Sequence, residues 1–216
     1  MLSKQKDLDR LHDALDRGDR DGWTLYIRGL GADSADLRGA DLAGLDLSGW
    51  CLEGADLGDA DLKGARLCGA KMAGVKIDGA NLSGADFTAA DLEGASIESS
   101  NLSGADLTRA HLRAAKISGA VARGARFREG RMYRVHISNC DMQGVNFSMA
   151  DGRYGTCADS DLQGADLRSS NFARTAFKSV KMNNANLSLA YFGGAEFEAV
   201  NLEGAELKGC SCPAVV

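Results

Sequence analysis

Residues 35–69 read ADLRG, ADLAG, LDLSG, WCLEG, ADLGD, ADLKG, ARLCG. The unit is five residues long, with a large apolar residue at its centre. Centres fall at Leu37, Leu42, Leu47 and every fifth residue to Cys212, 36 in unbroken register. Of these, 32 are Leu, Ile, Met or Phe, and all seven phenylalanines are centres. The residue two before the centre is Ala in 21 of the 36 units. A period of five suits neither a helix at about 3.6 residues per turn nor a strand at 2. The chain must therefore turn regularly, sending one large and one small apolar side chain inward per unit. The other three positions face water. Gly two after the centre, as at Gly39, Gly44 and Gly49, suits a turn that needs unusual dihedrals.

This pattern resembles the pentapeptide-repeat family, A(D/N)LXX, over residues 35–214. The resemblance implies an all-β solenoid, a right-handed quadrilateral β-helix with four pentapeptides per coil. Nine coils are then expected, making a rod roughly 40 Å long at the usual strand spacing of about 4.8 Å. Residues 20 apart should stack on one side, one coil higher. Residues 1–30 fall outside the repeat and are read as a short helical capping segment, with the β-helix over 31–216. Leu8, Leu11 and Leu15 lie at helical spacing and Gly18 follows as a stop. Trp23, Leu25 and Ile27 then alternate. A capping segment is expected because an open β-helix ends in an apolar surface and unpaired strand edges. At the other end only Pro213, Ala214, Val215 and Val216 follow the last centre. Some family members dimerise there, so a homodimer through the C-terminal coil is expected.

Catalytic chemistry finds no support in the sequence. The histidines are His12, His111 and His136, and no Ser-His-Asp or Cys-His constellation can be built from neighbouring units. No phosphate-binding glycine fingerprint is present; the glycines recur with the coil. Cys140, Cys157, Cys210 and Cys212 take inward positions and read as buried thiols, whereas Cys51 and Cys68 face outward. Cys210-Ser211-Cys212 lacks further metal ligands, and disulfides are not expected. No cofactor and no metal are therefore predicted. No apolar run approaches the roughly 18 residues of a membrane span, and the N-terminus has no signal-peptide core, so a cytoplasmic protein is expected.

Mapped by side, the rod is acidic at its ends and basic at its waist, between Arg109 and Arg134. The first coils carry Asp36, Asp41, Asp46, Asp56 and Asp61 just before the centres. One side is distinctive. After its centres, Arg113, Tyr133 and Arg153 form one column and Arg134, Tyr154 and Arg174 the next, with His111, Arg131 and Tyr191 beside them. Each tyrosine is expected to be sandwiched between the arginines above and below it, a mixture typical of binding hot spots. Gly152 is the odd centre here and is expected to leave a void. The reading is a non-enzymatic protein-interaction scaffold. The alternative, from the family resemblance, is a DNA-mimicking modulator of DNA gyrase, of the fluoroquinolone-resistance or toxin-immunity type, using the aspartate columns. Direct nucleic-acid binding by the basic waist is opposed by a net charge of −5.

Overall fold

The five-residue period builds a four-sided coil in which each side is one pentapeptide. The computed structural model describes residues 2–31 and 34–212. Asp36 pairs with Asp56, Asp41 with Asp61, Asp46 with Arg66 and Cys51 with Lys71, all in parallel and each 20 residues apart. The first ladder continues through Lys76 to Ser96. From there it widens into a six-stranded parallel sheet. Its strands are β1 (Ser96–Glu98), β2 (Lys116–Ser118), β3 (His136–Ser138), β4 (Thr156–Ala158), β5 (Ala176–Lys178) and β6 (Glu196–Glu198), paired in sequence order. The fold is a parallel β-solenoid.

Each unit satisfies its backbone in the same way. Leu57 N donates forward to Lys76 O at 2.7 Å, and Asp56 N donates back to Ala35 O at 2.9 Å. A turn then closes the corner, as where Ala40 N donates to Leu37 O at 3.1 Å around Gly39 at φ 59°. The Asp or Asn before the centre takes part too. Its Oδ1 accepts the N–H two residues on, from Thr88 to Asp86 at 2.9 Å and from Ser148 to Asn146 at 2.8 Å. These Asx turns satisfy an N–H that the ladder leaves over, which explains why Asp or Asn occupies this position in 18 of the 36 units.

The centres meet inside. Leu37, Leu57, Leu82 and Leu107 are fully buried, and Phe87, Phe127 and Phe147 stack on one ladder, with the last two rings 5.0 Å apart. Small residues line the same interior, so the walls approach closely enough for contact across it. The expected void at Gly152 does not exist. The ring of Phe172, one coil on, fills the space, and a Cβ built on Gly152 would overlap it. Phe172 in turn packs against Phe147, Phe177 and Phe192 at 5.7–6.0 Å.

The N-terminal segment is two helices, α1 (Leu2–Arg17) and α2 (Arg20–Leu30). Gly18, at φ 64°, ends α1 with two C-terminal turn bonds: Asp19 N to Ala14 O at 2.8 Å and Gly18 N to Leu15 O at 3.0 Å. The Trp23/Leu25/Ile27 alternation is not a strand. Trp23 and Ile27 are one helical turn apart and buried, while Leu25 is 69% exposed. The helices supply the partners that a preceding coil would otherwise give. Trp23 Nε1 donates to Cys51 O at 2.6 Å, and Asp7 Oδ2 accepts from Asp36 N at 2.8 Å. Both are ladder groups with no coil before them. Tyr26 donates its hydroxyl to the same carboxylate, and burial together with that bond pushes the phenol up to about 12. Cys51, expected outside, is thereby buried.

At the other end the structure corrects a second cysteine reading. Cys210 and Cys212 are neither free nor fully buried; they form a disulfide. Two inward positions of one coil, two residues apart with their Cα atoms 5.5 Å from each other, bring the sulfurs together. Pro213 and the apolar tail, expected at this end, lie outside the described residues. Among the described residues no helix is long and apolar enough to cross a membrane.

Candidate interaction face

The Arg/Tyr side is the one whose centres run from Leu52 through Gly152 to Phe192. On every side, the second residue after the centre turns the corner in the left-handed region, where glycine carries no penalty. On the side centred on Leu42 and Leu62 this column is glycine at 44, 64, 84, 104, 124, 144, 164 and 204. On the Arg/Tyr side it is Arg134 at φ 57°, Tyr154 at φ 60° and Arg174 at φ 56°, on three successive coils. Each places a bulky side chain where the conformation costs about 1 kcal/mol. The adjoining corner repeats this with Met149 and Leu189, which are 53% and 67% exposed. These two were missed from sequence, although their replacement of glycine in the repeat was visible.

The columns are cross-linked, so of the expected sandwiches of each tyrosine between arginines of its own column only the Arg174–Tyr154 contact forms. The Tyr133 and Tyr154 rings touch each other, centroids 5.3 Å apart and tilted by 59°. Arg134 lies over the Tyr133 ring at 5.3 Å and Arg174 over the Tyr154 ring at 5.5 Å. Arg113 and Arg153 turn to carboxylates instead, Glu93 at 3.6 Å and Asp151 at 2.7 Å. The Asp151 pair is two-pronged, with Arg153 Nε on Oδ1 and Nη2 on Oδ2. Those bonds hold the Asp151 carboxyl below the usual carboxylate range, and Arg153 is raised in return. Glu93, His111, Arg113, Arg131, Tyr133, Asp151 and Arg153 line a surface depression of about 450 Å³. Tyr191 is 51% exposed and stands further along the same side, outside the Tyr133–Tyr154 pair.

The five N-terminal aspartates are distributed differently. Asp36 and Asp56 share one side, Asp41 and Asp61 the next, and Asp46 a third. Asp36 pairs with Arg38 at 2.7 Å and Asp46 with Arg66 at 3.5 Å. Asp41 and Asp61 accept from the N–H groups of Ala43 and Lys63, and Asp61 also takes Asn81 Nδ2 at 3.0 Å. Their carboxylates thus hold turns as well as facing water.

A model for pentapeptide repeats matches residues 33–59, 51–88, 90–129, 131–169 and 170–209. The chain belongs to the pentapeptide-repeat family. No curated protein matches the sequence. Among solved structures, a trypsin-treated form of QnrB1, a plasmid-mediated fluoroquinolone resistance protein, is 18% identical with a TM-score of 0.51, covering 78% of this chain and 91% of its own. HetL, a pentapeptide-repeat protein involved in heterocyst differentiation regulation in the cyanobacterium Nostoc sp. strain PCC 7120, is 22% identical. It covers 90% of this chain and 98% of its own, with a TM-score of 0.39. A pentapeptide-repeat protein from the Arabidopsis thaliana thylakoid lumen is 29% identical over 50% of this chain and 69% of its own, with a TM-score of 0.37. The QnrB1 likeness is one of fold.

Proposed function

We propose that this pentapeptide-repeat chain is a non-enzymatic scaffold that binds a protein partner through its Arg/Tyr side. One observation carries the reading: Arg134, Tyr154 and Arg174 replace glycine in the left-handed column on three successive coils. The coil itself does not need them, since the opposite side is built with glycine there on seven successive coils, from Gly44 to Gly164. Tyr133 and Tyr154 are rigid anchors, held against each other and under guanidinium groups, so little side-chain entropy is lost when a partner docks. Replacing both with Ala should weaken partner binding by about 2 kcal/mol or more, with folding unchanged. Ser83→Ala with Ser103→Ala, on another side, is the control. A partner captured equally by all three proteins overturns the reading.

A second reading is modulation of DNA gyrase by the N-terminal aspartates. Asp41 and Asp61 stack on one side and keep one carboxylate oxygen each outside the turn bond, which supports it. Charge reversal at both should abolish inhibition in a supercoiling assay. No effect of the wild-type chain on gyrase removes this reading. For assembly we propose a homodimer through the C-terminal coil, where Leu207 is 45% exposed. A monomeric mass by light scattering at all concentrations contradicts it.

A further inference from the structure

The charge on the Arg/Tyr side is unbalanced in a way that specifies its ligand. From Arg38 onward, every arginine outside this side makes an ion pair with a carboxylate. Arg113 and Arg153 are paired as well. Arg131, Arg134 and Arg174 have no carboxylate partner among the described residues, and all three lie here. Five arginines and Lys71 thus share this side with four carboxylates, Glu53, Asp91, Glu93 and Asp151, on a chain whose net charge is −5. Elsewhere the chain neutralises its arginines locally, so an unpaired cluster on one side is a feature of that side and not of composition. Arg131 lines the depression, between the two neutralised arginines.

We infer that this depression binds an acidic segment of a partner protein, whose carboxylates meet Arg131 inside it and Arg134 and Arg174 along its edge. The inference rests on the proposed use of this side as the partner surface and adds the chemistry of what docks there. Guanidinium groups suit carboxylates because two N–H bonds run parallel to two oxygens. The site already shows the arrangement it would offer, in the two-pronged Arg153–Asp151 pair. The rings favour a protein segment over nucleic acid. Each tyrosine has an arginine over one face and the other tyrosine tilted at 59° against it, so no open flat face is presented to a base.

The test is fluorescence anisotropy with the full chain and a fluorescein-labelled oligoglutamate peptide, run beside an oligolysine peptide and an oligo-dT strand. The oligoglutamate should bind, weaken as salt rises and outcompete the other two. Arg131→Gln should raise its Kd by about tenfold, the scale of one charge-assisted contact, and Arg131→Lys by much less. Arg66→Gln, a paired arginine on another side, should leave Kd unchanged. Thermal melts of the variants confirm that each is folded. No oligoglutamate binding at low salt, an Arg131→Gln variant that binds like wild type, or tighter binding of oligo-dT overturns the inference. If a partner protein is still lost on replacing Tyr133 and Tyr154, the surface stands and only its acidic ligand is rejected. If neither experiment shows an effect, both are rejected.

Discussion

Gly152 and Phe172 are expected to behave as one packing unit. Gly152 is a centre position, where the interior elsewhere receives a Leu-sized side chain. Phe172 occupies that space from the next coil: an added Cβ overlaps Cδ1 and Cε1 of the ring and comes within 3.0 Å of Cζ. The ring cannot swing aside, because Phe147, Phe177 and Phe192 hold it at 5.7–6.0 Å and it is 3% exposed. Gly152→Ala should therefore destabilise the rod by about 1–3 kcal/mol through overpacking. Phe172→Ala alone opens a cavity and should cost about 3–5 kcal/mol. In that background the overlap is gone. Gly152 does not have a positive φ, so alanine there should be neutral or add up to about 1 kcal/mol by restricting the unfolded chain. The two changes should thus couple by about 2 kcal/mol or more. Urea unfolding of the four proteins, followed by circular dichroism, measures this, with a midpoint shift of about 1 M for 2 kcal/mol. If Gly152→Ala costs the same in both backgrounds, or nothing in the wild type, the packing argument is wrong.

Three further outcomes are expected. Asp86 makes its Asx turn to Thr88 without an ion pair, so Asp86→Ala should lose about 1 kcal/mol in a thermal melt while Asp86→Asn loses little; equal losses would assign the role to charge. Trp23→Phe keeps an aromatic ring, though a smaller one, and removes the donor to Cys51 O; it should speed hydrogen exchange in the first coil by about tenfold or more, with the last coils unaffected, and uniform protection would deny the helices a capping role. Asp151 and Asp166 have carboxyls lowered by Arg153 and Arg168, so their stabilisation is complete above the unfolded value of about 3.9 and is lost as pH falls through the lower folded values. Replacing both arginines with Gln should flatten the acid limb of the stability curve, and an unchanged limb would count against these pairs.

The repeat made the solenoid and its core readable, because a strict period of five forces one repeated local geometry. The side map was readable too, since every bridge links residues 20 apart. What could not be read came from contacts between coils or between unlike elements. Trp23 and Ile27 fit a helical face as well as an alternating strand, and burial against the first coil decides between them. The space at Gly152 is filled from the next coil, which one unit's sequence does not reveal. Aspartate in the outward position looked like surface charge because a side chain that bonds its own backbone two residues on leaves no mark beyond its regular recurrence. The Arg/Tyr columns were legible by register. Their pairing was not, because the Tyr133–Tyr154 contact crosses from one column to the next.

The most direct test of the proposed function is site-specific photocross-linking. A photoreactive phenylalanine analogue placed at Tyr133 or Tyr154 should cross-link the partner in cell extract, and peptide mapping should place the links in an acidic stretch of it. The same analogue at Ser83 or Ser103 should give few links. Equal cross-linking from both sides, or links confined to the Ser83 side, would contradict an interaction surface built by Arg134, Tyr154 and Arg174.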